Sequence, residues 1–334
     1  MTRTIPAARP AAVALAALAA MALAVAPGRV GAANAAPTSA VELLRDFTIA
    51  LPPGGKTAVR LLVSPLPDDV LDRLGPSAPL FAVGPRDAIW LGIEPGMLIH
   101  ATKGYRFRSA VPLSDIAVVE GGGLVVAASD AVGYLVPDGS AASPGSAASE
   151  AAAFQPIAGL PLSEARLAAG GNGSLYLFGP ALEGGGNAVY LMAPEAAGAG
   201  PGGPHAVRTL RRVFSTGERI AAVAGDGAET YVATGKLIVK ISGASRTMTP
   251  VLAHPREPIA GLALTRRGLL FYATATSVGV VSPGGTVEFV KAPHVALRSV
   301  GDDLYLLLRS SLAVVKVEGM EPFRLPARPA RNGR

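Results

Sequence analysis

An all-β fold of propeller type, with six blades and seven as the alternative, is what three features of this sequence predict. Short apolar runs recur along the chain, Gly, Asp, Asn and Pro separate them, and the recurrences are spaced like four-stranded blades. Helical periodicity is confined to "VELLRDF" and "PDDVLDRLG", although half of the 334 residues are hydrophobic.

The first element is a leader. "MTRTIPAARPAAVALAALAAMALAVAPGRVGAANAA" sets Arg3 and Arg9 ahead of an apolar stretch from Ala11 to Val25 and ends on the small triplet Ala33-Asn34-Ala35. That is the plan of a secretory signal peptide. The apolar stretch falls short of the roughly 20 residues that a spanning helix needs. Residues 1–35 are therefore expected to be cleaved, leaving a periplasmic or secreted chain with no integral membrane span. The sequence holds no Cys, so burial and hydrogen bonds, not disulfides, must hold the exported protein together.

Charge says little about a polyanionic partner. The first 35 residues hold three Arg and no acids; setting them aside from 30 basic and 24 acidic residues leaves a net charge of +3. Four of the remaining basic residues lie in "RLPARPARNGR" at the C-terminus, where residues 326–334 are expected to form a disordered basic tail. Nucleic-acid binders cluster their basic residues on a folded face, so no nucleic acid is expected as a partner.

Residues 36–79 form an N-terminal segment whose two strand-like runs, "FTIAL" and "TAVRLLV", are expected to pair with the last blade and close the ring. The propeller proper is assigned to residues 80–325. There the runs beginning at Leu80, Ile116, Ala165, Ile220, Ile259 and Val295 share one grammar of apolar strand, Gly or Asp turn, aromatic strand, short loop and third strand. Their spacings are 36, 49, 55, 39 and 36 residues. The two long spacings contain "SAASPGSAASEAAA" and "EAAGAGPGGPHA", low-complexity segments expected as loops between third and fourth strands. Without them the period falls to about 40, within the range for propeller blades.

Two of these stretches, "GNGSLYLFG" and "VVAASDAVGYLV", resemble blades of the NHL and SMP-30/gluconolactonase-like group of six-bladed propellers. The resemblance lies in the rhythm of strand, Gly turn and aromatic strand across the repeats. It implies a central channel whose mouth carries the functional side chains.

Placing a residue one or two positions ahead of each innermost strand at that mouth selects Pro79, Asp115, Glu164, Glu218, Glu257 and His294. Asp130, at the end of a second strand, belongs to the same face. Gathered carboxylates repel one another, and the repulsion is relieved by raised pKa values, Arg partners or a cation. One divalent ion such as Ca²⁺ fits oxygen ligands of this kind, with Asp115, Glu164, Glu218 and Glu257 as its expected ligands. Ligation by His294 would shift the preference toward Mn²⁺ or Zn²⁺. The competing expectation is a wet rim neutralised by Arg166, Arg219 and Arg256 as ordinary ion pairs. In the gluconolactonase-like enzymes a Glu leading into an innermost strand ligates a metal, and the resemblance carries that role to Glu257. The family's remaining ligands and its catalytic Asp have no counterpart that can be placed here.

Other motifs carry less. His254 and Glu257 form H-x-x-E without a second His, and neither G-x-S-x-G nor a P-loop occurs. His100, in a third strand, and His205, in a flexible loop, are expected to be solvated or packed and not ligands, Trp90 and Tyr176 to lie in the core between blades, and the Arg cluster from Arg208 to Arg212 to guard an outer edge. The function expected is that of a monomeric binding or scaffold module taking a small molecule or protein partner at the channel mouth. The alternative is a metal-dependent hydrolase or lactonase acting on a small carbohydrate-like or ester substrate.

Overall fold

The computed structural model describes residues 42–43, 48–51, 55–65, 80–137, 150–193 and 208–318, with breaks at 86–87, 95, 102–103, 120–121, 255, 283–284, 292–293 and 309–310. The segment read as a signal peptide, Pro79, His205, the loop "EAAGAGPGGPHA" and the basic tail lie outside the described residues. All the strands belong to one compact unit, Ser39–Arg334.

The fold is an all-β propeller. Among the described residues the strands group into six four-stranded antiparallel units. The first contains β4 (Phe81–Gly84), β5 (Ala88–Glu94), β6 (Met97–His100) and β7 (Arg106–Ser109). The second contains β8 (Asp115–Val118), β9 (Leu124–Ala127), β10 (Ala131–Pro137) and β11 (Glu150–Gly159). Parallel pairing of β7 with β11 joins these two at their outer strands. The third runs β12 (Arg166–Ala169), β13 (Leu175–Pro180), β14 (Asn187–Met192) and β15 (Leu210–Thr216). The fourth runs β16 (Ile220–Gly225), β17 (Glu229–Thr234), β18 (Leu237–Ser242) and β19 (Met248–Ala253). The fifth holds β20 (Gly261–Leu264), β21 (Leu270–Ala273), β22 (Ser277–Ser282) and β23 (Gly285–Lys291), with the two-residue β1 (Glu42–Leu43) added outside β23.

In the sixth unit the fourth strand comes from the other end of the chain. Strands β24 (His294–Val300), β25 (Asp303–Leu308) and β26 (Ser311–Glu318) are followed outward by β3 (Gly55–Pro65), which pairs antiparallel with β26 from Ser311↔Pro65 to Glu318↔Ala58. Strand β2 (Thr48–Leu51) lies outside β3. The first strands of the six units neighbour one another in the order β4, β8, β12, β16, β20, β24 and back to β4.

The packing explains why the second strands read as unbroken apolar runs. Side chains alternate between the two faces of a strand, and each unit is covered on both faces by its neighbours, so no position is left for the usual polar alternation. In β13, Leu175 and Leu177 pack toward the second unit, and Tyr176 and Phe178 toward the fourth. In β25, Leu304, Leu306 and Leu308 join the fifth unit, while Tyr305 and Leu307 join the first. Trp90 of β5 packs with the second unit, stacked on Phe107 at 5.1 Å and edge-on to His100 at 4.8 Å. The main clusters of buried side chains thus lie at the seams between consecutive units, and the last seam joins the sixth unit to the first.

Polar groups lock individual seams. The Tyr176 hydroxyl accepts the Gly227 amide at 3.0 Å, and burial raises its pKa. Arg208 donates to the Tyr134 hydroxyl at 3.0 Å and so bridges the third unit to the second. Arg211 and Arg212 lie exposed on β15, the outer strand of its sheet, where charge blocks unwanted pairing. Of "SAASPGSAASEAAA", residues 140–149 lie outside the described set, but Glu150–Ala153 open β11 and do not form loop.

Candidate functional site in the central channel

The six first strands surround a cavity of about 550 Å³. That volume lies within the roughly 300–1,000 Å³ typical of small-molecule sites. Most of its wall is small and apolar because the strands converge there: Ala, Val, Leu and Gly from β4, β8, β12, β16, β20 and β24. Five charged side chains interrupt it among the described residues: Asp115, Glu164, Arg166, Arg219 and Arg298.

Asp115 is the buried member, with 6% of its surface exposed. It opens β8, and its Oδ1 accepts the following amide, Ile116, at 2.8 Å. Oδ2 accepts the Leu167 amide of β12, also at 2.8 Å, and Arg298 Nη2 of β24 stands 3.7 Å from Oδ1. One carboxylate therefore ties together the second, third and sixth units.

Arg298 keeps 23% of its side chain exposed and donates through Nη1 to the Leu297 carbonyl at 3.0 Å. Burial depresses its pKa; Asp115 opposes that shift and the nearby Arg166 reinforces it. A guanidinium titrates so far above neutrality that Arg298 stays charged regardless. Arg166 is fixed from two sides, by a hydrogen bond from Nη1 to the Ala221 carbonyl at 3.0 Å and by the Phe178 ring 5.4 Å away. Glu164 and Arg219 are exposed, just ahead of β12 and β16.

Of the residues selected from sequence, Asp115 and Glu164 line the channel, and Glu218, Glu257 and Asp130 do not. Glu218 is exposed, and its successor Arg219 takes the channel position. The physical reason is parity: Arg219 stands directly ahead of Ile220 and Glu218 two places ahead, side chains alternate along an extended chain, and the pairing of β16 then slips between Ile220 and Ala222. Pairing of β24 slips in the same way between His294 and Ala296. His294 opens that strand opposite Leu308.

Glu257 stands four residues before β20, outside the cavity lining. Hydrogen bonds from Thr274 and Thr276 hold its carboxyl below the ordinary value, and the Thr276 hydroxyl reaches its two oxygens at 2.9 and 3.1 Å. The Glu257 amide donates to Nδ1 of the buried His254 at 3.0 Å, while His254 Nε2 lies 3.4 Å from Glu288. H-x-x-E is thus a local turn lock. Asp130 is exposed, and its carbonyl accepts the Leu160 amide at 2.8 Å. The residue that sequence reasoning missed is Arg298. Its signal was an Arg inside "VALRSV", where the corresponding stretches "IAAVAG" and "IAGLAL" carry only small or apolar residues.

One glycine fixes the backbone at Glu164. Gly179 of β13 has φ +152°, and a Cβ there would sit 2.4 Å from the Glu164 carbonyl oxygen. Gly179→Ala is expected to lower stability by about 1–3 kcal/mol through this displacement and the backbone strain. A thermal melt of the variant beside the wild type checks it.

No protein-family profile matches the chain, and no curated protein matches it in sequence. Solved structures do match in shape. A putative gluconolactonase superposes with a TM-score of 0.52 at 14% identity, over 84% of this chain and 98% of that one. A luciferin-regenerating enzyme gives 0.52 at 14% identity, over 80% of this chain and 99% of the other. Regucalcin from Agrobacterium tumefaciens, described as a calcium-binding protein, gives 0.51 at 12% identity, over 77% and 96%. The fold is that of the gluconolactonase and regucalcin propellers.

The calcium of regucalcin poses a direct question to this propeller's own residues. Among the described residues no three His, Cys, Asp or Glu side chains gather as a metal-ion site. Asp115 gives both oxygens to main-chain amides, with Arg298 beside it, and Glu257 gives both to Thr276. The described channel wall carries three guanidinium groups against two carboxylates. These residues do not fit a divalent cation, and no chemical step is routed through one.

Proposed function

We propose that this chain is an exported propeller that hydrolyses a small ester at its channel mouth, a lactone or carbohydrate-like ester being the substrate class. The observation carrying this reading is the cavity in which Glu164 lies with Arg166, Arg219 and Arg298. Ester hydrolysis needs a base to take a proton from water and positive groups to stabilise the oxyanion that forms. Asp115 has both oxygens committed to amides, which leaves Glu164 as the channel carboxylate for the first task. Arg166 and Arg298, held by main-chain carbonyls, suit the second. Shape similarity to a putative gluconolactonase supports the substrate class.

The test is turnover of glucono-δ-lactone and p-nitrophenyl acetate by the wild type and Glu164→Gln, each with calcium chloride and with EDTA. A base contributes about 10²–10⁴-fold, and Glu164→Gln is expected to lose activity on that scale with its melting temperature unchanged. Loss on chelation would restore to the mechanism the divalent ion anticipated from Asp115, Glu164, Glu218 and Glu257.

The second reading is a binding or scaffold module at the same mouth, with a small molecule or a protein as partner. It is favoured by the commitment of Asp115 to structure, and absence of turnover on either substrate would select it.

A further inference from the structure

We infer that the channel is an oxyanion site: a carboxylate or phosphate group of a small molecule binds between Arg298 and Arg166, with Arg219 at the rim. The inference deepens the reading of the channel as the ligand site by naming the charge and chemistry of what enters.

Charge balance comes first. Asp115 is the sole acid within ion-pair distance of Arg298 among the described residues, at a loose 3.7 Å, and its lone pairs already serve the Ile116 and Leu167 amides. Arg166 stands close enough to depress the pKa of Arg298. Arg298 and the exposed Arg166 thus face one cavity with aliphatic walls in which Asp115 is the acid beside Arg298, and like charges brought together there are costly. An anionic ligand relieves that repulsion.

Donor count comes next. A guanidinium carries five N–H donors. Arg298 and Arg166 each give one hydrogen bond to a main-chain carbonyl, Leu297 and Ala221, and further donors on each lie at the cavity wall. Those carbonyls, together with the Phe178 ring under Arg166, hold both groups in place before a ligand arrives. Preorganised planar donor forks suit the two oxygens of a carboxylate or phosphate. The other polar side chains near them are spent on structure: Ser114 donates to the Ala127 and Ala165 carbonyls and Ser299 to that of Leu264. The recognition chemistry left to the described wall is therefore cationic, with Glu164 the remaining acid.

The test uses the mature protein at constant ionic strength, set with sodium chloride. Sodium gluconate, sodium phosphate and calcium chloride are titrated in separate arms, with melting temperature and calorimetric heat as readouts. At about 100 times Kd the anion is expected to raise the melting temperature by about 5–10 °C. Arg166→Gln is expected to weaken binding at least about tenfold, the worth of a charged hydrogen bond. Because Arg166 is exposed, that variant folds; Arg219→Gln gives a second, independent reading.

A response to gluconate alone assigns the site to carboxylates, and a response to both anions assigns it to oxyanions in general; either supports the inference. It is overturned if neither anion shifts the melt, if calcium does so instead, or if Arg166→Gln responds like the wild type. Anion binding without turnover leaves this inference standing and discards the hydrolase. Turnover without anion binding does the reverse.

Discussion

A chain beginning at residue 66, and so lacking β1, β2 and β3, is expected to lose its cooperative melt and to aggregate. Strand β3 pairs with β26 over eight residues, from Ser311↔Pro65 to Glu318↔Ala58. At about 0.5–1.5 kcal/mol net per hydrogen bond, a ladder of that length is worth several kcal/mol, a large part of the 5–15 kcal/mol that holds an ordinary domain. Losing it also bares β26 as an open edge, a template for pairing with another chain. Circular dichroism, a thermal scan and light scattering read the three consequences. Adding a peptide of residues 55–65 is expected to restore part of the transition. A truncated chain melting within a few degrees of the intact one would show that ring closure by β3 is dispensable.

That strand illustrates what a sequence shows readily. "TAVRLLV" is a strand-like run, and the second strands "LYLFG" and "LYLLL" are stronger still, because burial on both faces removes the polar alternation that blurs other strands. Gly and Asp turns then mark the ends of each unit, so the order of strands can be read directly. The channel was harder to read, because facing depends on parity. Counting back from the apolar run that opens at Ile220, one step reaches Arg219 and two reach Glu218, and the channel takes Arg219. A one-residue shift reverses which side chain faces inward, and an acid beside a base leaves residue type unable to decide between them.

Charge balance was hidden for a related reason. The acids ahead of the first strands were visible as a series, whereas Arg298 lies within a strand and meets Asp115 only when the sixth unit closes against the first. Their separation of 183 positions leaves no local pattern to find. The same closure turns a row of carboxylates, suggestive of a cation, into a channel with more guanidinium groups than acids.

Asp115→Asn tests that account at its centre. Asp115 is 6% exposed and receives the Ile116 and Leu167 amides on separate oxygens, with Arg298 alongside. An amide has one carbonyl oxygen and one NH₂, so the variant sets a donor against one of the two amides and removes the negative charge beside Arg298 and Arg166. Breaking one side of a buried charged pair typically costs about 3–5 kcal/mol, because the partner is left uncompensated. For a domain of this size the expected fall in melting temperature is on the order of 10 °C. The position of Leu167 ties the loss to the seam between the second and third units, so hydrogen exchange should quicken first in β8 and β12. Exposed Glu164, three residues before Leu167, provides the control: Glu164→Gln removes an equal charge from the same channel and should leave the melt unchanged. If the two variants melt alike, Asp115 is a rim charge like its neighbour and the three-unit tie has no energetic weight. If Asp115→Asn alone collapses the melt, and added phosphate or gluconate depresses it further, the unpaired guanidinium groups are not the cause, and the lost amide acceptor must be.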